Sequence, residues 1–239
     1  MLLFIVRHGD PIYNPDSLTP KGHLQAQALA KRFAVNGLDE IYSSPLNRAR
    51  QTAQPTCDIL GKPYTVEDWT SESKAAADLF CTYPDGRRGW VFQRQLSELK
   101  NNGTLNLNLQ NWYTAECFSK ADTERFKKGF ERIGHDSDQF LARLGYERDG
   151  AVYKILNPNS KRIAVFCHQG FGVTWLSHLL QIPPHIFWSS FDITHTGVTV
   201  LRFRNYENGI TVPQCLCLSD TSHILREGLP FEYNNSEKL

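Results

Sequence analysis

Several common functions have no footing in this chain. It carries no Gly-rich phosphate loop and no dinucleotide fingerprint, and it has neither a His-Glu-x-x-His pair nor a Cys/His finger spacing. No metal and no cofactor are therefore expected. The formal net charge is only +1. Without a whole-molecule field, nucleic acid and an anionic membrane are poor partners, and any anion site must be built locally. No Cys-x-x-Cys occurs. The six cysteines, at 57, 81, 117, 167, 215 and 217, are scattered through a chain large enough not to need staples. They read as reduced thiols in a reducing compartment. Before Arg7 there is no basic segment, no long apolar run and no small-residue cleavage site, so a secretory signal is not expected and a cytoplasmic location is. There is no internal repeat and no low-complexity tract. What remains is ordinary globular composition: at 41% apolar and 21% charged, 239 residues suffice for one core.

The first ten residues organise the rest. Five bulky apolar residues, Leu2 to Val6, run directly into Arg7-His8-Gly9. Such a run is too short for a helix and reads as a strand buried on both faces. It delivers a cation and an imidazole to the carboxyl edge of a sheet, where open α/β folds bind ligands. A polar, proline-rich loop follows. Thr19 then caps a helix with Pro20 at its first position, and Asn36-Gly37 ends it. Residues 39–44 form a short strand. Ser44 is expected to cap a second helix with Pro45 in its first turn, Pro55 kinking it and Gly61 closing it. Strand, helix, strand, helix is the signature of a right-handed unit on a parallel sheet.

Tyr64–Trp69 reads as a further strand, ending near Glu72. Residues 73 to about 145 then hold no convincing strand. Helical spacing predicts helices over 73–80 and 122–144 and an amphipathic stretch over 91–100, with turns at 84–86 and 101–103. Many of the aromatics fall in this block. Residues 146–153 predict a hairpin turning at Asp149-Gly150. Arg162 to Cys167 then repeats the opening theme: an apolar strand ends in His168, with Gly170 close behind. A helix over 171–180, strands over 196–203 and 211–218, and a polar, mobile tail from Asn234 complete the pattern. The expected fold is α/β: a mostly parallel sheet with helices on both faces (Rossmann-like, three layers), in one domain over 1–239 with a helical insertion at 73–145 over the carboxyl edge.

Parallel strands bring His8 and His168 to one edge although 160 positions separate them. Arg48, in the first turn of the second helix, joins them beside free backbone N–H groups. Arg7, His8, Arg48 and His168 make a cluster of four potential cations. Such a cluster is costly unless an anion occupies it. A phosphoryl group fits, because arginine's planar fork matches its oxygens in pairs.

The sequence here resembles the histidine phosphatase superfamily, the phosphoglycerate mutase-like clan. The resemblance rests on Arg7-His8-Gly9, Leu18-Thr19-Pro20-Lys21-Gly22 with Gln25-Ala26, Tyr42-Ser43-Ser44-Pro45-Leu46-Asn47-Arg48-Ala49 with Gln51-Thr52-Ala53, and Cys167-His168-Gln169-Gly170. It implies a phosphohistidine mechanism with His8 as nucleophile. Arg7, Arg48 and His168 hold the phosphoryl oxygens, and Asn14 and Thr19-Pro20 in the nearby loop reach the phosphate. It also implies an acid after the third strand. Glu72 has a spacing from Arg48 similar to the family's, although Trp69-Thr70-Ser71-Glu72 departs from the family's Leu-x-Glu context. Glu67 and Asp68 remain rivals. Gln169 also departs from the family, which commonly has glycine after this histidine. His195 reads as a polar residue in a turn.

Three functions compete: a metal-independent phosphatase acting on a small phosphorylated metabolite, a phosphoglycerate mutase-like phosphotransferase, and an inactive phospho-ligand-binding relative. The resemblance leans to the phosphatase. The Arg87-Arg88 pair matches one mutase feature, but the Glu-Arg-His-Tyr-Gly segment of the clan's mutases is missing.

Overall fold

The computed structural model describes residues 1–83, 85–93, 96–101, 103–234 and 236–238. Pro84 and Asn102, within two of the expected turns, lie outside them.

A six-stranded sheet forms the centre. Leu2–Arg7 pairs in parallel with Arg162–Cys167, which pairs in parallel with Glu40–Ser43, which in turn pairs in parallel with Thr65–Val66. On the other side of Leu2–Arg7, Val198–Phe203 and then Pro213–Asp220 run antiparallel. The sheet is thus mostly parallel, as the strand–helix alternation implies. Arg7 lies level with Cys167 and Phe166 with Ser43, so three strands end together at one edge.

The opening apolar run is continuous because the strand is buried on both faces, and alternation sorts its side chains. Phe4 and Val6 join Ala164 and Phe166 in one hydrophobic cluster. Leu29 and Phe33 of helix Pro20–Ala34 and Ala53 and Cys57 of helix Asn47–Leu60 cover it. Leu3 and Ile5 join Ile163 and Val165 in a second cluster on the opposite face. There helices Lys120–Arg143 and Gln169–Leu180 contribute Phe140, Phe171 and Trp175. Burying each such side chain stabilises the fold by roughly 1.5–3 kcal/mol. The two clusters make the sheet the middle of three layers.

The insertion departs from the expected all-helical cap. Helices Glu72–Leu79 and Lys120–Arg143 bound it. Between them Phe80–Thr82 and Arg88–Trp90 pair as a small antiparallel hairpin. The stretch expected to be one amphipathic segment is a 3-10 turn, Val91–Gln93, and a short helix, Leu96–Leu99. Buried Trp112, Phe126 and Phe130 join the same cluster as Leu3 and Ile5, so cap and sheet share a core.

Two other boundaries move. The expected strand over 64–69 is only Thr65–Val66, followed by a 3-10 turn at Asp68–Thr70. The second long helix begins at Asn47 rather than after Ser44, with Leu46 as its cap, and it runs through Pro55.

Candidate active site

His8 sits just past the end of its strand with 2% of its surface exposed. Its backbone N–H donates to Cys167 O at 2.9 Å, and the Gly9 N–H donates to Thr52 Oγ1 at 3.0 Å. Gly9 has to be glycine. A Cβ there would lie 2.8 Å from Gly22 O, and one on Gly22 would lie 2.2 Å from Asp10 O. Helix Pro20–Ala34 therefore starts with its backbone pressed against the turn that carries His8. Thr19 caps that helix, its Oγ1 accepting from Gly22 N–H at 3.0 Å.

The ring of His8 has one defined tautomer. Nδ1 lies 2.7 Å from Gly9 O. A carbonyl only accepts, so Nδ1 carries the proton. Arg48 Nε–H, which only donates, points at His8 Nε2 from 3.2 Å. Nε2 therefore presents its lone pair. Burial and then the neighbouring His168, Arg7 and Arg48 hold the imidazole pKa well below its ordinary value of 6.5, so the ring is neutral at pH 7.

Arg48 lies in the first turn of its helix, 7% exposed, where the sequence placed it. Its Nη1 bonds Asp16 Oδ1 at 2.6 Å, while Asp16 Oδ2 accepts from Asn47 N–H at 2.6 Å. One carboxylate thus serves the helix start and orients the guanidinium. Arg7 is 5% exposed. Nη1 donates to Ile193 O at 2.8 Å and to Asn234 Oδ1, and Nη2 donates to His195 Nε2 at 3.0 Å. Its Nε, also buried, has no hydrogen-bond partner among the described residues.

His168 is fully buried, its ring centroid 5.1 Å from that of His8. Its Nε2 is hydrogen-bonded with Ser44 Oγ at 2.7 Å, so Ser44 serves this imidazole rather than a helix cap. Burial, then Arg48 and Arg7, lowers its pKa well below 6.5 as well. Glu72 faces the group from the cap. Its Oε1 accepts from Gly170 N–H at 3.0 Å and its Oε2 from Phe171 N–H at 2.9 Å, at the start of helix Gln169–Leu180. Desolvation raises its pKa above 4.5, against the opposing pull of those two amides and of Arg48 and Arg7.

Arg7, His8, Arg48 and Glu72 line one cavity of about 470 Å³, together with Tyr13 and, from the cap, Phe80, Arg88 and Trp90. Glu67 and Asp68 are not among its walls. Glu67 is held by Trp69 Nε1 at 2.8 Å and Arg143 at 2.5 Å, and Asp68 by Lys74. Asn14, expected at the phosphate, sits exposed at the tip of the hairpin formed by Pro11–Tyr13 and Asp16–Leu18, outside the cavity walls. The loop reaches the site through its neighbours Tyr13 and Asp16 instead. His195, read as a turn residue, is 7% exposed, and its ring lies 5.9 Å from that of His8. The antiparallel strand Val198–Phe203 brings it there, since Val198 lies opposite Val6. Among the described residues, no group of three or more His, Cys, Asp or Glu is placed to hold a metal, and no helix is long and apolar enough to cross a membrane.

Residues 3–75 match the family model of the histidine phosphatase superfamily (branch 1). A putative phosphoserine phosphatase 2 of Hydrogenobacter thermophilus is 39% identical over 75 residues, 28% of this chain and 37% of that protein. A 2,3-bisphosphoglycerate-dependent phosphoglycerate mutase of Brucella ovis is 33% identical over 102 residues, 37% of this chain and 50% of the mutase. The chain thus spans half or less of the length of these curated relatives. A solved structure of phosphoserine phosphatase from Entamoeba histolytica, in complex with 3-phosphoglyceric acid, superposes with a TM-score of 0.59 at 25% identity, covering 93% of this chain and 98% of that one. A mycobacterial glucosyl-3-phosphoglycerate phosphatase shares the fold, with a TM-score of 0.55 at 17% identity over 90% of this chain and 97% of that one. The N-terminal segment thus matches the histidine phosphatase superfamily, and the fold is similar to that of solved phosphatases over nearly the whole chain.

Proposed function

We propose that the protein is a phosphomonoester hydrolase that works through a phosphohistidine on His8 and acts on a small phosphorylated metabolite. One observation carries this reading. A neutral, buried imidazole presents its Nε2 lone pair to a cavity whose walls include Arg7, Arg48, Arg88 and a carboxyl with a raised pKa, Glu72. A nucleophile, oxygen-binding cations and an acid are what phosphoryl transfer requires.

In this reading Arg48 Nε–H moves from His8 Nε2 to a phosphoryl oxygen when substrate arrives. Arg7 Nε–H and the rest of Arg48 take the remaining oxygens. His168, its ring 5.1 Å from that of His8 but outside the described cavity walls, joins them through Nδ1, which has no hydrogen-bond partner among the described residues. His8 Nε2 attacks phosphorus in line, and the bond from phosphorus to the leaving oxygen breaks. Glu72, protonated, gives its proton to that oxygen. The positive charge that develops on the ring is stabilised at Nδ1–H by Gly9 O. Water then attacks the phosphohistidine while the Glu72 carboxylate takes its proton, releasing phosphate and restoring neutral His8. Arg7, Arg48 and His168 supply the charge stabilisation, so the reaction is expected to run without a metal. Six cysteines scattered through the chain, with no Cys-x-x-Cys pair, support a reducing, cytoplasmic setting. The insertion at 73–145 is read as a cap within the same single domain, because it shares the sheet's core.

Hydrolysis of p-nitrophenyl phosphate that persists in EDTA and is lost in His8→Ala tests this reading. A mutase is the second reading, favoured by the Brucella relative. Phosphoglycerate isomerisation faster than hydrolysis would establish it.

A further inference from the structure

A second cavity, of about 410 Å³, adjoins the catalytic one and shares two of its walls, Gln93 and Gln169. The two differ in character. Arg7, Arg48 and Arg88 make the first cation-rich. Phe92, Leu96, Trp188 and Phe191 make much of the second apolar, and Asp192 is the one charged residue among its described walls.

A row of rings links them. Trp90, in the catalytic cavity, stacks on Phe92 with centroids 5.2 Å apart and planes 21° apart. Phe92, in the second cavity, meets Trp188 at 5.8 Å. Gly170 makes room for the row, since a Cβ there would lie 2.5 Å from the Trp90 ring. Beside it, Gln169 Nε2 donates to Asp192 Oδ1 at 2.5 Å, and Ile193 N–H donates to the same oxygen at 2.7 Å. The amide of Gln169 thus stands where the two cavities meet, tied to the Asp192 carboxylate of the second. Deeper in, Asn234 lines the second cavity and bonds Arg7 of the first.

We propose that the second cavity receives the far end of the leaving group. The preferred substrate is then a phosphomonoester of an alcohol that carries a flat ring with a hydrogen-bond donor. The phosphoryl group sits among the arginines, the ring lies along Phe92 and Trp188, and the donor reaches Asp192. An acidic group in the second cavity is repelled by Asp192. This inference rests on the phosphatase reading above.

Steady-state kinetics on the purified full chain test it with three probes: adenosine 5′-monophosphate (ring with a donor), purine riboside 5′-monophosphate (ring with no donor) and glycerol 3-phosphate (no ring). The expected kcat/KM for the adenosine ester exceeds that for glycerol phosphate about tenfold or more, a margin that ring contacts readily supply. Phe191→Ala removes a wall that is 42% exposed, and Ser190→Trp fills the cavity from an exposed position. Each is expected to cut that ratio about tenfold while glycerol phosphate turnover stays unchanged. Asp192→Asn is expected to narrow the preference for the adenosine ester over the purine riboside ester.

Equal kcat/KM for ringed and ringless esters, or a ratio unmoved by both cavity variants, overturns the inference while leaving the phosphatase reading intact. Hydrolysis of none of the three, nor of p-nitrophenyl phosphate, overturns the phosphatase reading. Calorimetric affinities then decide the second cavity: tighter binding of the adenosine ester supports it, and equal affinities overturn it.

Discussion

Two strands of this protein end in the same way and serve different ends. Leu2–Arg7 and Arg162–Cys167 are parallel neighbours, and each is followed by a buried histidine. The difference lies in which ring nitrogen the surroundings hold. At His8 the proton-bearing Nδ1 is tied back to Gly9 O, so Nε2 projects its lone pair toward Arg48 in the cavity. At His168 it is Nε2 that is held, by Ser44, and the residue is not among the cavity walls. Burial in the same cluster of cations keeps both rings neutral at pH 7. Position at a strand end therefore brings a histidine to the site, and the second hydrogen bond of the ring decides its role. In the proposed mechanism His8 attacks and His168 supports.

Replacing each histidine in turn breaks the comparison most directly. His8→Ala removes the nucleophile and is expected to lower kcat on the order of 10⁴-fold or more. Glu72→Gln keeps the shape of the opposing carboxyl but cannot give a proton. A fall of about 10²–10⁴-fold in kcat is expected, with the alkaline limb of the pH–rate profile lost. That limb belongs to Glu72, whose raised pKa keeps it protonated to higher pH than an ordinary carboxyl. His168→Ala removes a group that stabilises transition-state charge and should cost about 10²-fold, while a phosphohistidine still forms on His8. The smallest effect belongs to Ser44→Ala, which loses one hydrogen bond to His168. About 1 kcal/mol, roughly fivefold in kcat/KM, is expected, with the His8 variant's near-complete loss as the contrast.

Stability against pH sharpens the same comparison. Both histidines have folded pKa values well below 6.5, so just below that pH the unfolded chain binds protons that the folded chain does not. Stability is therefore expected to fall as pH drops from 6.5 toward the folded values. Glu72 acts in the opposite sense. Its folded pKa lies above 4.5, so its contribution declines as pH rises from 4.5 through that value. Urea midpoints from pH 7 to pH 5 should decrease in the unaltered protein and decrease less in His8→Asn.

The strands that carry His8 and His168 were legible because a strand buried on both faces leaves a continuous apolar run, as in Leu2–Val6 and Ile163–Cys167. Arg48 was legible because a helix start next to such a strand shares its edge. The small hairpin of Phe80–Thr82 and Arg88–Trp90 was not, since three-residue strands hold too few positions for alternation to show. Ser44 read as a helix cap from local sequence alone. Its bond to His168 spans 124 positions and exists only once the sheet has formed. His195 was discounted for a similar reason: nothing local says that Val198–Phe203 runs antiparallel, and only that direction brings the residues before it to the active edge. Asn234 read as the start of a mobile tail. Its contacts with Arg7 and with Thr194 Oγ1, the latter at 2.8 Å, come from distant segments that local sequence does not reveal.

The central claim is that phosphorus is carried on His8 Nε2. Rapid quenching of the protein with ³²P-labelled p-nitrophenyl phosphate into alkali, which preserves phosphohistidine, followed by peptide mapping, tests it most directly. The label is expected on the peptide containing His8, absent in His8→Ala and retained in His168→Ala. Label on the His168 peptide, or undiminished turnover in His8→Ala, would contradict it.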